Sequence, residues 1–150
     1  MPDPILTSRA VVTAKVESTY NTDSTPSVSA DAVLVANPSW ANEGLRMNER
    51  PVVKETLAPE QHVFGGTLKT ISFDVEIKGS GVVDTAPDWG VLMKGCAFAE
   101  TVPGGAGTIT YIPSSTFSDQ KSLTIWYYQN GLLHKLTGCR GNVSFNLETY

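Results

Sequence analysis

The sequence predicts a mainly β protein, a β-sandwich or partly open barrel with one packed α-helix. Three observations predict it. Strict alternation of apolar and polar residues recurs in several separate segments, most clearly at 70–78. Asn130-Gly131 sits between two such segments and is a strong hairpin turn, since both positions tolerate φ > 0. Only 85–96 carries the spacing of an amphipathic helix. The composition agrees. The chain has 150 residues, 41% hydrophobic and 17% charged, with 13 Gly and 9 Pro, which suits one domain of strands joined by turns.

Taken in order, residues 1–31 are polar and weakly patterned and predict an N-terminal arm, with a short strand or extended piece at 9–16. Residues 20–29 hold Asn, Asp, Ser, Thr and Pro26 and predict a loop. Residues 32–36 form a short apolar run that predicts a strand ended by Asn37-Pro38. Residues 41–66 concentrate charge and contain Pro51 and Pro59. They predict a long loop, or a hairpin of ragged strands around 45–47 and 52–53. A loop of that length in a compact domain is usually functional, which makes this the segment expected to touch another chain.

The strand at 70–78 places Ile71, Phe73, Val75 and Ile77 on one face and Ser72, Asp74, Glu76 and Lys78 on the other. The helix follows. Thr85 is its expected cap, Pro87 lies in its first turn, and Trp89, Leu92, Met93 and Cys96 form one apolar stripe. Four strands are expected after it: 108–112, 122–128, 132–136 and 142–148, with a bend or bulge at Gly138 and Gly141. The strand at 122–128 is apolar on both faces, so it is central or covered by a partner.

The charge excludes some functions. A net charge of −4 with scattered Lys and Arg does not grip a phosphate backbone, which needs clustered cations. No apolar run of 18 residues exists, so no membrane span is expected, and no signal peptide is visible. The two cysteines, Cys96 and Cys139, make no metal motif and are expected as reduced thiols. Cys96 belongs to the helix stripe, and Cys139 lacks a basic motif that would activate it. His62 and His134 are the only histidines, without ligand spacing. Asp74 and Glu76, roughly 7 Å apart on one strand face, have glycosidase-like separation. Lys78 on the same face argues for a solvated charge pattern instead. The glycines at 104–107 follow a helix and open a strand, the wrong order for a phosphate cradle. No catalytic constellation, metal site or cofactor is expected.

Four stretches carry a resemblance to a known family. The first is Ala14-Lys15-Val16-Glu17-Ser18-Thr19-Tyr20-Asn21-Thr22-Asp23, similar to A-K-x-E-x-x-Y-G-T-D. The second is 72–81, SFDVEIKGSG. The third runs from Thr85-Ala86-Pro87-Asp88-Trp89 to Glu100, similar to T-A-P-x-W-x-x-L-L-x-A-C-G-F-x-E. The fourth is 131–145, GLLHKLTGCRGNVSF. In this order and spacing the chain resembles the tail tube (major tail) proteins of long-tailed, siphovirus-type bacteriophages. Asn21 stands where the family often has Gly, and Asn also tolerates φ > 0. Related chains continue past the last strand, whereas this sequence ends at Tyr150.

The resemblance implies a structural subunit, not an enzyme, that assembles with itself into hexameric rings stacked as a tube in the virion tail. It implies synthesis in the bacterial host cytoplasm, and tape-measure and other tail proteins as partners. DNA passes through without specific binding. Residues 1–31 and 41–66 are then assembly surfaces, with Arg9, Tyr20, Arg46, Arg50, His62 and Trp126 as candidate contacts between subunits. Asp74 and Glu76 become candidate lumen-facing acids. The alternatives are a monomeric carbohydrate-binding β-sandwich using Trp40, and the tube of a contractile injection or secretion system.

Overall fold

A computed structural model describes residues 9–50, 52–55, 61–105 and 107–146 of the chain. Strands account for 44% and helical turns for 7%, so the protein is mainly β, and its antiparallel sheets do not close into a barrel. The elements in order are β1 (Ala10–Val16), β2 (Ala32–Val33), β3 (Val35–Asn48), β4 (Val63–Val75), α1 (Gly90–Gly95), β5 (Phe98–Thr101), β6 (Thr110–Pro113), a 3₁₀ turn at Phe117–Asp119, β7 (Leu123–Gln129) and β8 (Leu132–Cys139). They divide into two compact units, one of residues 36–74 and one of the rest.

The larger unit is built on a four-stranded sheet in the order β2-β1-β7-β8. Residues directly opposite each other share a face. Val12 opposes Tyr127 and Ala14 opposes Ile125; Ile125 in turn opposes Leu136. All five side chains are buried, and with Val33, Leu123 and Met93 they form the core. α1 lies against this face. A methyl group on Gly95 would collide with the Leu123 side chain, and one on Gly90 with the Tyr111 hydroxyl, so the helix docks through its glycines. The turn Asn130-Gly131 has φ of 45° and 88°, the two-residue loop the sequence predicts. The predicted irregularity at Gly138 is also present: it has φ 65°, and the β7–β8 register shifts between Leu123 and Ile125.

Several expectations are corrected. Of the two readings of 9–16 the short strand holds and the arm does not: residues 10–16 form an inner strand, with Val12 and Thr13 fully buried. Their pattern is hard to read because the opposite face of the sheet buries threonines, Thr13 and Thr124, instead of aliphatics. Residues 1–8 of the expected arm lie outside the described residues. The segment 41–66 is strand at both ends: β3 runs to Asn48 and covers the 45–47 strand of the hairpin alternative, β4 starts at Val63, and 52–53 is not strand. β3 passes through Asn37-Pro38, where Asn37 adopts φ 50° and kinks the strand without ending it. Prolines are compatible with such a ribbon because an edge strand leaves one row of amides unpaired.

The helix is shorter than predicted. Trp89 occupies the N-cap position without a side-chain cap, and Thr85 instead bonds locally to Val83 O at 3.4 Å. Ala97, with φ 63°, turns the chain out of the helix in a left-handed conformation. β5 was unpredicted and pairs with β6 from Phe98↔Pro113 to Thr101↔Thr110. The last predicted strand is absent over 142–146, which is exposed and joins no sheet. Residues 147 and 148 lie outside the described residues.

Candidate assembly surface

The first stretch of the resemblance forms a clasp on the sheet face opposite α1. Glu17 is buried, with 7% exposure. Its Oε1 accepts hydrogen bonds from the Gly138 amide at 2.7 Å and Thr124 Oγ1 at 2.9 Å. Its Oε2 accepts from the Asn21 amide at 2.8 Å and Ser122 Oγ at 2.7 Å. Burial pushes the carboxyl pKa up, but the bonds from Gly138, Ser122, Thr124 and Asn21 outweigh it and hold the group below its ordinary value. Asn21 adopts φ 60°, a left-handed conformation that Asn tolerates, and its Oδ1 accepts from Thr137 Oγ1 at 2.7 Å.

Two residues further on, Asp23 Oδ1 accepts the Thr25 amide and Trp126 Nε1, and its Oδ2 accepts Lys135 Nζ at 3.1 Å. The Lys135 ammonium also lies 4.1 Å from the Trp126 ring centroid. The structure therefore brings together the first and fourth stretches of the resemblance, at Glu17 to Asp23 and Lys135 to Gly138.

The smaller unit is the β3–β4 ribbon. It is a two-stranded sheet of 14- and 13-residue strands. None of its described side chains is buried. Trp40, Met47, Val63, Phe64 and Leu68 are each 41–59% exposed. Both outer edges are without a ladder partner among the described residues. A lone two-stranded hairpin is marginal in water.

The predicted contact residues are dispersed. Arg9 is exposed, and its carbonyl accepts the Asn130 amide at 2.9 Å. Tyr20 is 65% exposed. Arg46 lies in β3, and its side chain is outside the described residues. Arg50 and His62 are exposed in the connection between β3 and β4. Trp126 is half-buried under Asp23 and Lys135 of its own chain. Asp74 ends the ribbon, exposed, and accepts Asn37 Nδ2 at 2.9 Å. Glu76 is exposed beyond the end of β4, which stops at Val75 instead of 78.

Several other polar and sulfur groups are paired or shielded within the fold. Glu100 bonds Lys94 at 2.6 Å and accepts the Tyr111 hydroxyl at 2.8 Å, beside Gly90. His134 stacks on Tyr127 with centroids 6.0 Å apart. Burial pushes the Cys96 thiol up; burial and the Glu17 charge push Cys139 up to about 11, so both are poor nucleophiles at neutral pH. A shallow cleft of about 270 Å³ runs past Lys78, Trp89 and Tyr111. Asp84 at its rim is occupied by the Gly105 and Gly107 amides. Among the described residues, no group of three or more His, Cys, Asp or Glu could hold a metal ion. No described helix is long and apolar enough to cross a membrane. No protein-family model, curated protein or solved structure matches the chain.

Proposed function

We propose that this chain is a structural subunit that assembles with copies of itself into stacked six-membered rings, forming a conduit for DNA like that of the phage tail tubes it resembles. The observation that carries the reading is the β3–β4 ribbon, which spans 36–74 and has no buried side chain among those described. Joining sheet edges between copies pairs the free backbone groups and covers the apolar side chains at once. The clasp adds support, because it gives Glu17, Asn21 and Asp23 of the first resembling stretch concrete roles in one fold.

A conduit must not hold its cargo. Six copies at −4 carry about −24, which repels phosphates. In this reading the exposed carboxylates Asp74 and Glu76 face the passage. Negative-stain microscopy of concentrated protein tests the assembly: rings or tubes are expected, and a monomer that persists at every concentration overturns it. Reversing both acids to Lys is expected to slow DNA ejection while tubes still form; unchanged ejection removes these two residues from the lumen.

A further inference from the structure

The turn held by the clasp presents an aromatic and a cation side by side. Tyr20 lies between Thr19 and Asn21, and the turn is closed by the Thr22 amide on Thr19 O at 3.1 Å. Its position is over-determined. The Asn21 amide is fixed by Glu17, and Asn21 Oδ1 by Thr137. The ring lies so close to Gly138 that a methyl there would come within 3.4 Å of Cε2 and Cζ. The Arg140 guanidinium sits 5.5 Å from the ring centroid. Despite this support Tyr20 is 65% exposed. Arg140 is exposed too, and has no carboxylate partner among the described residues; the Tyr20 hydroxyl likewise has no hydrogen-bond partner among them.

We propose that the Tyr20–Arg140 pair is a preformed docking point for a carboxylate-bearing segment of a second copy of this chain. The inference rests on the self-assembly reading and names one contact within it. Tyr and Arg are among the residues that most often anchor interfaces, and here the ring already rests beside Gly138 with the guanidinium over it before any partner arrives. A guanidinium fork and a phenolic O–H on one side of a turn match a carboxylate, which takes two parallel N–H bonds and a third from the hydroxyl. The chain supplies the counterpart in excess, with 15 acidic against 11 basic side chains.

The test compares full-length wild type with Arg140→Gln, Arg140→Glu, Tyr20→Ala and Tyr20→Phe. Assembly is followed by light scattering and sedimentation against protein and salt concentration, and folding by thermal melting. The expected result is a rise of about tenfold or more in the concentration needed for assembly in Arg140→Glu and Tyr20→Ala. Arg140→Gln and Tyr20→Phe should fall between these and wild type, all with near-wild-type melting. Wild-type assembly in well-folded Arg140→Glu and Tyr20→Ala overturns the inference and leaves the assembly reading standing. A wild type that never assembles overturns both. A fluorescent single-stranded oligonucleotide is the third arm: if Arg140→Glu abolishes its binding while assembly is unmoved, the pair serves nucleic acid and the inference fails.

Discussion

Glu17 Oε1 accepts the Gly138 amide at 2.7 Å, joining residues 121 positions apart in the chain. The bond lands on the β-bulge of β8, where the register shift leaves an amide that the β7 ladder does not use. Glu17 thus satisfies the irregularity it sits beside. Its other three bonds fix the start of the Tyr20 turn and the beginning of β7.

Glu17→Gln turns one acceptor oxygen into a donor that faces donors. Neither backbone amide can accept in return, so one is left unpaired in a buried site. The expected cost is about 1.5–3 kcal/mol, or roughly 3–10 °C in Tm for a domain this size. Ser122→Ala removes one bond and leaves both amides satisfied, so its cost should be nearer about 1 kcal/mol. Thermal denaturation decides the order, and equal melting of the two variants contradicts this account of the clasp.

The same carboxylate sets an acid dependence. Its folded pKa is depressed from the ordinary 4.5, so its stabilisation is fully present above pH 4.5 and is lost as pH falls through the folded value. Asp23 acts in the same direction: burial raises its pKa, but bonds from Thr25, Lys135 and Trp126 together with the Lys135 charge lower it further. Stability measured by urea denaturation should therefore decline steadily below pH 4.5, and the decline should be shallower in Glu17→Gln. An identical slope in both proteins rules out Glu17 as a source of the acid sensitivity.

β7, β8 and the second half of β4 were readable from aliphatic and aromatic alternation, as was the Asn130-Gly131 hairpin, because their signals are local; the same alternation at 142–146 forms no ladder, so the signal is not sufficient by itself. The clasp was only partly legible. The spacing of Glu17, Tyr20, Asn21 and Asp23 could be matched to a family pattern, but the partners Thr124, Ser122 and Gly138 lie more than 100 residues away. The polar face of the sheet, Thr13 and Thr124, looks like surface in one dimension and is buried by hydrogen-bonding groups in three. β3 and the first half of β4 were harder to read for a related reason: the charged residues and Pro38 of β3, and Gly65 and Gly66 near the start of β4, give no core-facing stripe, whereas the alternation at 70–75 was legible.

The α1 glycines make a packing prediction. Gly95→Ala places a methyl against Leu123 at the centre of the core, and overpacking of this kind costs about 1–3 kcal/mol. Gly104→Ala, which meets nothing within 4 Å, serves as its control and should change stability by no more than about 0.5 kcal/mol. Chemical denaturation of both variants separates a tight helix–sheet contact from a general glycine effect; matching midpoints would remove the contact.

Hydrogen exchange should separate the two units. Amides of β1 and β7 lie in the interior of a four-stranded sheet and are expected to exchange slowest. Those of β3 and β4 belong to a ribbon with no buried side chain among those described, so they should exchange much faster in dilute protein and slow down once subunits assemble. Protection of the ribbon equal to that of β7 at low concentration would remove the need for a partner.

Cysteine labelling probes the clasp from the opposite side. Cys139 is raised to about 11 by burial first and the Glu17 charge second. At pH 8 only about one such thiol in a thousand is ionised, so alkylation of the native protein should be roughly a hundredfold slower than in urea. Glu17→Gln removes the neighbouring charge and should speed labelling of Cys139. Cys96, raised by burial alone, should not respond. Mass spectrometry of iodoacetamide-treated protein distinguishes the two sites. Parallel acceleration at both cysteines would mean that the variant loosens the whole sheet, and that the carboxylate does not act on Cys139 through its charge.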